Sequence, residues 1–335
     1  MNRVPVVIAT PLEAELVERL REVDPRLDVR FDPDLLPHPR FPSDHVGDLS
    51  FTRTPDQERR FAELVAGAEV LYGFPGEDPR QIAWAVRTAP GLRYVQATFA
   101  GAGQQLAAAG LSPEELGGIQ WASSAGVHAT PLAEWSIFGI LAFTKGLPRL
   151  RADQRDRHWD HYPVDELRGS TVLVVGLGSI GTEVARLAEA FGMNVLSVRR
   201  SHGDLDELLP QADSIVVTLP LTEETRGLID RSRIERMRRG AIFVNVGRGG
   251  VVDEEALVDA LRSGQLRGAA LDVFAEEPLA ETSPLWALDN VIISPHTSAL
   301  SWHENERIVE LFADNLGRYL RGDELRSRVR TSVFY

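Results

Sequence analysis

Short apolar runs recur along the chain, separated by stretches in which apolar positions fall three or four residues apart. Val4 to Ala9 is apolar throughout, the mark of a strand covered on both faces. Leu12, Leu16 and Leu20 then repeat at helical spacing, and Leu27 to Phe31 alternates as a half-buried strand does. Residues 69–72 and 92–96 predict two more strands, each running into a small-residue loop, Gly73-Phe74-Pro75-Gly76 and Ala100-Gly101-Ala102-Gly103. A long helix is expected from about 130 to Gly146, with Pro131 in its first turn, where a missing N–H costs nothing. Thr171 to Val175 opens a second series, with strands expected at 195–198, 214–218, 241–245, 268–271 and 290–293. Helices fit between them, one running from the N-cap Asp253 to Arg262, and a last helix spans about Glu304 to Leu320. Residues 32–57 hold five prolines among Asp, His and Ser, and predict one long irregular loop.

Strands alternating with helices imply parallel sheets with both faces covered, an α/β fold. With 335 residues, a prior of about 150 per domain gives two domains. The 43% hydrophobic and 25% charged residues exclude a disordered or coiled-coil chain. A net charge of −13 disfavours nucleic acid and anionic membrane as partners. The absence of cysteine excludes disulfides, thiolate metal sites and a cysteine nucleophile. The most apolar stretch, Trp135 to Phe143, lies between Glu134 and Lys145 and falls short of the roughly 18 residues of a membrane span. The N-terminal apolar run is too short for a signal segment and meets Glu13 and Glu15, so a cytoplasmic protein is expected.

The most informative segment is Val172 to Gly181. Gly176, Gly178 and Gly181 form G-x-G-x-x-G directly after a strand and at the start of a helix. The first glycine allows the tight turn, the second lets a pyrophosphate approach the backbone, and the third lets helix and strand pack closely. The free N–H groups and positive dipole end of the helix suit the phosphates. A second strand follows at the right distance, so a dinucleotide site is expected, against the blander reading of a structural turn. Where an acid would hold the ribose 2′-OH, Arg199 stands 18 residues after Gly181, with Arg200, Ser201 and His202 behind it. Two guanidiniums and a hydroxyl match a 2′-phosphate. NADP is therefore the preferred cofactor, NAD the possible one, and a solvated basic strand end the competing explanation.

Three further segments place polar residues at strand ends, where open α/β sheets bind ligands. They are Phe243 to Gly250 with Arg248, Leu271 to Leu279 with Asp272, Glu276 and Glu277, and Val291 to Ala299 with His296. With the glycine motif before them, these segments resemble the D-isomer-specific 2-hydroxyacid dehydrogenase family over about Leu92 to Ser301. The resemblance implies that Arg248 holds a substrate carboxylate and polarises the carbonyl. His296 would be the acid/base, Glu277 rather than Glu276 its partner, and Asp272 would face the nicotinamide carboxamide. Leu219 and Pro220 would wall the adenine side, and Ser179, Ile180, Val246, Gly247 and Ser298 would join Arg248 and His296 around the cofactor. In the first domain, Ala100 and Gly101 match the loop that offers N–H groups to the substrate carboxylate, whereas Gly103 stands where the family often has Asp or Asn.

The chemistry is coherent on its own terms. Hydride transfer to a 2-keto acid develops negative charge on the carbonyl oxygen, and a protonated His296 can donate to it. A carboxylate beside the imidazole favours its charged form and fixes the ring. A guanidinium fork matches the substrate carboxylate. Phe74, Phe99 and Trp302 are candidates for the substrate pocket, although a core role serves the first two equally well. His158 and His161 do not make a metal site without a third ligand, and none is expected. The resemblance implies two doubly wound domains, a Rossmann-type cofactor domain at 123–298 and a flavodoxin-like substrate domain at 1–122 plus 299–335, with a cleft between them. It further implies a small 2-keto or D-2-hydroxy acid substrate of the glyoxylate or hydroxypyruvate type, and a homodimer using the helix near 130–145. The alternative is a cofactor-sensing corepressor or scaffold that keeps the fold.

Overall fold

The computed structural model describes residues 3–199, 203–332 and 334. The chain divides into two compact units, 1–128 with 300–335, and 129–299. The first is built on five parallel strands: β1 (Val4–Ile8), β2 (Leu27–Arg30), β3 (Val70–Tyr72), β4 (Tyr94–Gln96) and β5 (Gln120–Ala122). Their order, β2-β1-β3-β4-β5, is the doubly wound arrangement whose direction reverses between β1 and β3. One face is covered by α2 to α5, introduced with the rest of the helices here: α1 (Ala14–Arg21), α2 (Pro55–Ala66), α3 (Pro79–Thr88), α4 (Ala102–Ala108) and α5 (Pro113–Gly117). The other face packs on α1 and on the last helix, Glu304–Arg321, around Tyr72, Tyr94 and Phe312.

The second unit has six parallel strands: β6 (Thr171–Val175), β7 (Asn194–Val198), β8 (Ser214–Val217), β9 (Ala241–Asn245), β10 (Leu266–Leu271) and β11 (Val291–Ile293). They run in the order β11-β10-β9-β8-β6-β7, so the reversal falls between β6 and β8. The helices are α6 (Ala129–Thr144), α7 (Leu147–Asp156), α8 (Ser179–Ala190), α9 (Leu205–Leu208), α10 (Arg231–Arg236) and α11 (Glu254–Arg262), with α12 (Glu304–Arg321) belonging to the first unit. α6 is apolar on nearly every side because it lies tight on the sheet. A Cβ at Gly139 would stand 2.5 Å from the Ala270 methyl, and the Phe143 ring fills the space over Gly268.

Both parallel sheets and the run of strands expected in the second unit are present. The expected loop at 32–57 is not wholly irregular. A short 3-10 turn occupies Pro33–Leu35, and 55–57 already belong to α2, which starts at a capping box between Thr54 and Gln57. Strand β5 and helices α4 and α5 are too short to stand out in the sequence, whereas α3 does carry a helical pattern, burying Ile82, Ala83 and Ala85, that the sequence expectations above omit. Among the described residues no helix is long and apolar enough to cross a membrane.

Candidate active site

The carboxyl ends of β6, β8, β9 and β10 carry a row of loops that meet closely at three glycines. Gly176 follows β6 at φ 100°, and a Cβ there would lie 2.7 Å from Leu219 Cδ2 in the loop after β8. Gly247, after β9, lies against the same loop, 2.5 Å from Leu219 O at the Cβ position. Gly249 presses on the turn after β10, where a Cβ would stand 1.9 Å from the Phe274 carbonyl carbon. At Gly247 and Gly249 main chain meets main chain, whereas at Gly176 the Leu219 side chain and the Thr218 hydroxyl fill the space a Cβ would need.

At the first loop, α8 begins at Ser179 with Gly178 as its cap and no side chain on its first N–H groups. A Cβ at Gly178 would meet nothing within 4 Å, whereas at Gly181 it would lie 2.0 Å from Gly176 O. An uncapped helix start, a bare approach over Gly178 and a glycine that lets α8 sit on β6 form a cradle that fits a pyrophosphate. Ile180 is in the first turn of α8, and Leu219 and Pro220 follow β8, the latter exposed. Arg199 directly follows β7 and is exposed, while Arg200, Ser201 and His202 lie outside the described residues.

His296, Glu277 and the Arg248 loop share one end of the sheet. His296 adopts φ 53°, in the left-handed region. Its Nδ1 lies 2.7 Å from Glu277 Oε2, and the other oxygen, Oε1, accepts from Phe274 N at 3.0 Å. Glu276 has no such contact with His296 among the described residues. The Arg248 guanidinium donates from Nη1 to Gly247 O at 2.7 Å, which folds the side chain over its own loop. Val246 is buried, its N–H given to Val217 O at 3.0 Å.

Asp272 is 1% exposed and organises the His296 loop. Its Oδ1 accepts from Ser294 Oγ at 2.8 Å, Thr297 N at 3.1 Å and Ser298 N at 3.0 Å, and its carbonyl accepts from His296 N at 3.0 Å. Ser298 Oγ reaches Ser294 Oγ at 2.9 Å. This clamp is absent from the sequence reading. Its only signal there is the pair of serines flanking the Pro295-His296 step, which says nothing of a shared acceptor.

In the first unit, Ala100 is exposed and Gly101 caps α4. A Cβ on Gly103 would lie 1.9 Å from Phe334 O, so the C-terminal backbone occupies the space that a larger residue there would need. Phe74 is 1% exposed and meets the Phe99 and Trp121 rings edge-on at 5.4 and 6.3 Å, which makes it a core residue. Trp302 is 80% exposed. His158 and His161 are exposed, and Asp160 between them pairs with Arg149 at 2.9 Å.

Residues 137–298 match the family model described as "D-isomer specific 2-hydroxyacid dehydrogenase, NAD binding domain". A glyoxylate reductase of Thermofilum pendens is 37% identical over 225 residues, 62% of this chain and 66% of that protein. Among curated relatives the matched stretch spans from 39% to 69% of their own length. A D-isomer specific 2-hydroxyacid dehydrogenase family protein from Aeromonas salmonicida superposes with a TM-score of 0.77 at 29% identity, covering 98% of this chain and 100% of that one. The D-isomer specific 2-hydroxyacid dehydrogenase of Xanthobacter autotrophicus, solved with NADPH and MES, superposes with a TM-score of 0.75 at 26% identity over 100% of both chains.

Proposed function

The chain belongs to the D-isomer specific 2-hydroxyacid dehydrogenase family, and from that premise we propose that it reduces a small 2-keto acid to the D-2-hydroxy acid with NADPH. The observation that carries the reading is the 2.7 Å contact between His296 Nδ1 and Glu277 Oε2 at the strand ends that also bear Arg248. With Nδ1 held by a carboxylate, Nε2 is the ring atom left to face a substrate. When bound, the reduced nicotinamide supplies the hydride received by the keto carbon. His296 Nε2 gives its proton to the carbonyl oxygen, so one hydride and one proton convert the ketone to the alcohol, and in the reverse direction the imidazole takes the hydroxyl proton. Glu277 keeps the ring aimed through this exchange. Arg248 takes the substrate carboxylate in its fork and draws the carbonyl oxygen towards positive charge. The Ala100–Gly101 turn is proposed as a second carboxylate-binding element through its N–H groups.

The α8 start, Gly176, Gly178 and Gly181 would hold the pyrophosphate, and Leu219, Pro220, Val246 and Gly247 the dinucleotide beyond it. Asp272 shapes the His296 loop through Oδ1, leaving its second carboxylate oxygen for the carboxamide. Arg199, with Arg200 and Ser201 after it, favours the 2′-phosphate of NADP over the free hydroxyl of NAD. The Thermofilum relative's name supports glyoxylate as a first substrate to try.

A homodimer in the cytoplasm belongs to the same reading. α7 buries none of its residues, and Phe138, Leu150, Val164 and Trp159 are 44%, 47%, 46% and 89% exposed on the second unit. Exposed apolar residues mark a surface to be covered where they lie together, as the Trp135 and Phe138 rings do at 5.3 Å on α6. A sedimentation mass of one chain would refute this part.

The test is steady-state turnover with NADPH and with NADH on a panel of glyoxylate, hydroxypyruvate, pyruvate and longer 2-keto acids. Turnover on at least one, with the lower KM for NADPH, is the expected result. A protein that binds NADPH yet turns over none of them overturns the reading in favour of a cofactor-sensing scaffold.

A further inference from the structure

We propose that Glu254 is a positioning residue for the His296–Glu277 pair, acting through the main chain of Ala275; the inference rests on the reading above. Glu254 is the first residue of α11, directly after its cap Asp253. Its Oε2 accepts from Ala275 N at 3.0 Å. The neighbouring amide, Phe274 N, donates to Glu277 Oε1 at 3.0 Å, and Glu277 Oε2 holds His296. Two adjacent main-chain amides are thus taken by two carboxylates, one from α11 and one from the imidazole's partner.

The turn needs such a tether. Phe274 is buried and Leu279 packs against the same core, but Ala275, Glu276, Glu277 and Pro278 between them are exposed, so apolar packing holds the stretch that carries Glu277 only at its ends. The element that holds it is rigid. α11 buries Ala256, Leu257, Val258, Ala260 and Leu261. The segment leading into it is bonded to a neighbouring loop, Gly227 N to Gly250 O at 2.9 Å and Asp253 N to Ile229 O at 2.9 Å. That same segment begins at Arg248, and its Gly249 rests on Phe274. Glu254 therefore links the placement of the guanidinium to that of the imidazole's partner. Among the described residues Glu254 makes no salt bridge, so its carboxylate is committed to this one amide.

The experiment compares Glu254→Ala, Glu254→Gln and Glu254→Asp in the full chain. Glu254→Ala should lower kcat about tenfold to a hundredfold, the scale of a misplacement near 1 Å. The NADPH Kd should stay within about twofold of the parent's, the scatter of independent sites. Glu254→Gln keeps a carbonyl oxygen that can accept from Ala275 N and should restore kcat, whereas Glu254→Asp keeps the charge but falls short and should resemble Glu254→Ala. If Glu254 only places charge at the helix start, the order is reversed, with Asp active and Gln defective, and the proposal fails. In a Glu277→Ala background, Glu254→Ala should cost a further factor of no more than about two. An equal loss in both backgrounds also overturns it. The wider reading fails by a different result, namely unchanged kcat in Glu277→Ala and His296→Ala.

Discussion

Two substitutions in one motif separate the packing of the cofactor loop from its contact with the cofactor. At Gly181 an added Cβ would lie 2.0 Å from Gly176 O and 3.1 Å from Val174 Cγ1. The first contact is about 1.4 Å inside an ordinary carbon–oxygen approach. Gly176 cannot give way, because its carbonyl accepts from Thr218 Oγ1 at 2.6 Å and its N–H donates to Val198 O at 3.0 Å. α8 must retreat instead. Overpacking of this kind costs about 1–3 kcal/mol, which for a unit of this size lowers Tm by about 2–12 °C. The helix start moves with it, and losing one charge-assisted hydrogen bond to a phosphate weakens binding by about 1.5–3 kcal/mol, or roughly 10- to 160-fold. Gly181→Ala should therefore lose both stability and NADPH affinity. At Gly178 a Cβ meets nothing, and the backbone, φ −79° and ψ −160°, admits alanine. Gly178→Ala should keep its Tm within the small range of surface changes, about 0.5 kcal/mol, and still bind NADPH at least about tenfold more weakly. Calorimetric unfolding and a fluorescence titration with NADPH read the two quantities. Parent-like NADPH affinity in Gly178→Ala would refute the assignment of that face to the pyrophosphate.

Other expectations follow from the same geometry. His296→Ala should lose about 10²- to 10⁴-fold in kcat with an unchanged NADPH Kd; stopped-flow turnover checks the first and titration the second. Arg199→Ala should raise the KM for NADPH and leave that for NADH alone, and equal changes in both would remove Arg199 from the 2′-phosphate. Asp44 anchors the 40–47 loop by accepting from the Arg40 guanidinium at 2.7 and 3.0 Å and from the N–H groups of Arg40 and Gly47 at 2.9 and 3.0 Å. The Arg40 guanidinium, with those N–H groups, holds the Asp44 carboxyl well below the usual carboxylate range. Because the folded-state value is depressed, the stability it contributes is complete above about pH 4, the unfolded range, and is lost as pH falls from there. Asp44→Asn should cost about 1–3 kcal/mol at pH 7 and flatten the acid limb of the Tm–pH curve; an acid limb as steep as the parent's would contradict this.

What the sequence makes legible depends on how a residue works. Strands buried on both faces, such as Thr171–Val175, announce themselves as apolar runs, and glycines at a tight turn must recur at fixed spacing. Both sheets are readable for that reason. The Gln120–Ala122 strand and the Ala102–Ala108 helix are too short to show a period. The capping box at Thr54 and Gln57 lies inside a proline-rich stretch that reads as loop. Long-range commitments are harder still. Glu254 stands 21 residues from Ala275 and, in sequence, looks like any acidic residue at a helix start. Asp272 suggests a ligand contact, and only the fold shows three donors from the loop after β11 on one of its oxygens. Arg200, Ser201 and His202 fall outside the described residues, so the cofactor preference rests on Arg199 and the pattern around it.

The seams at Gly247 and Gly249 bear on engineering. Where main chain meets main chain, as at Gly247 and Gly249, a mutagenesis library yields mostly broken scaffolds, and a shift in one loop is passed to the next without a side chain to absorb it.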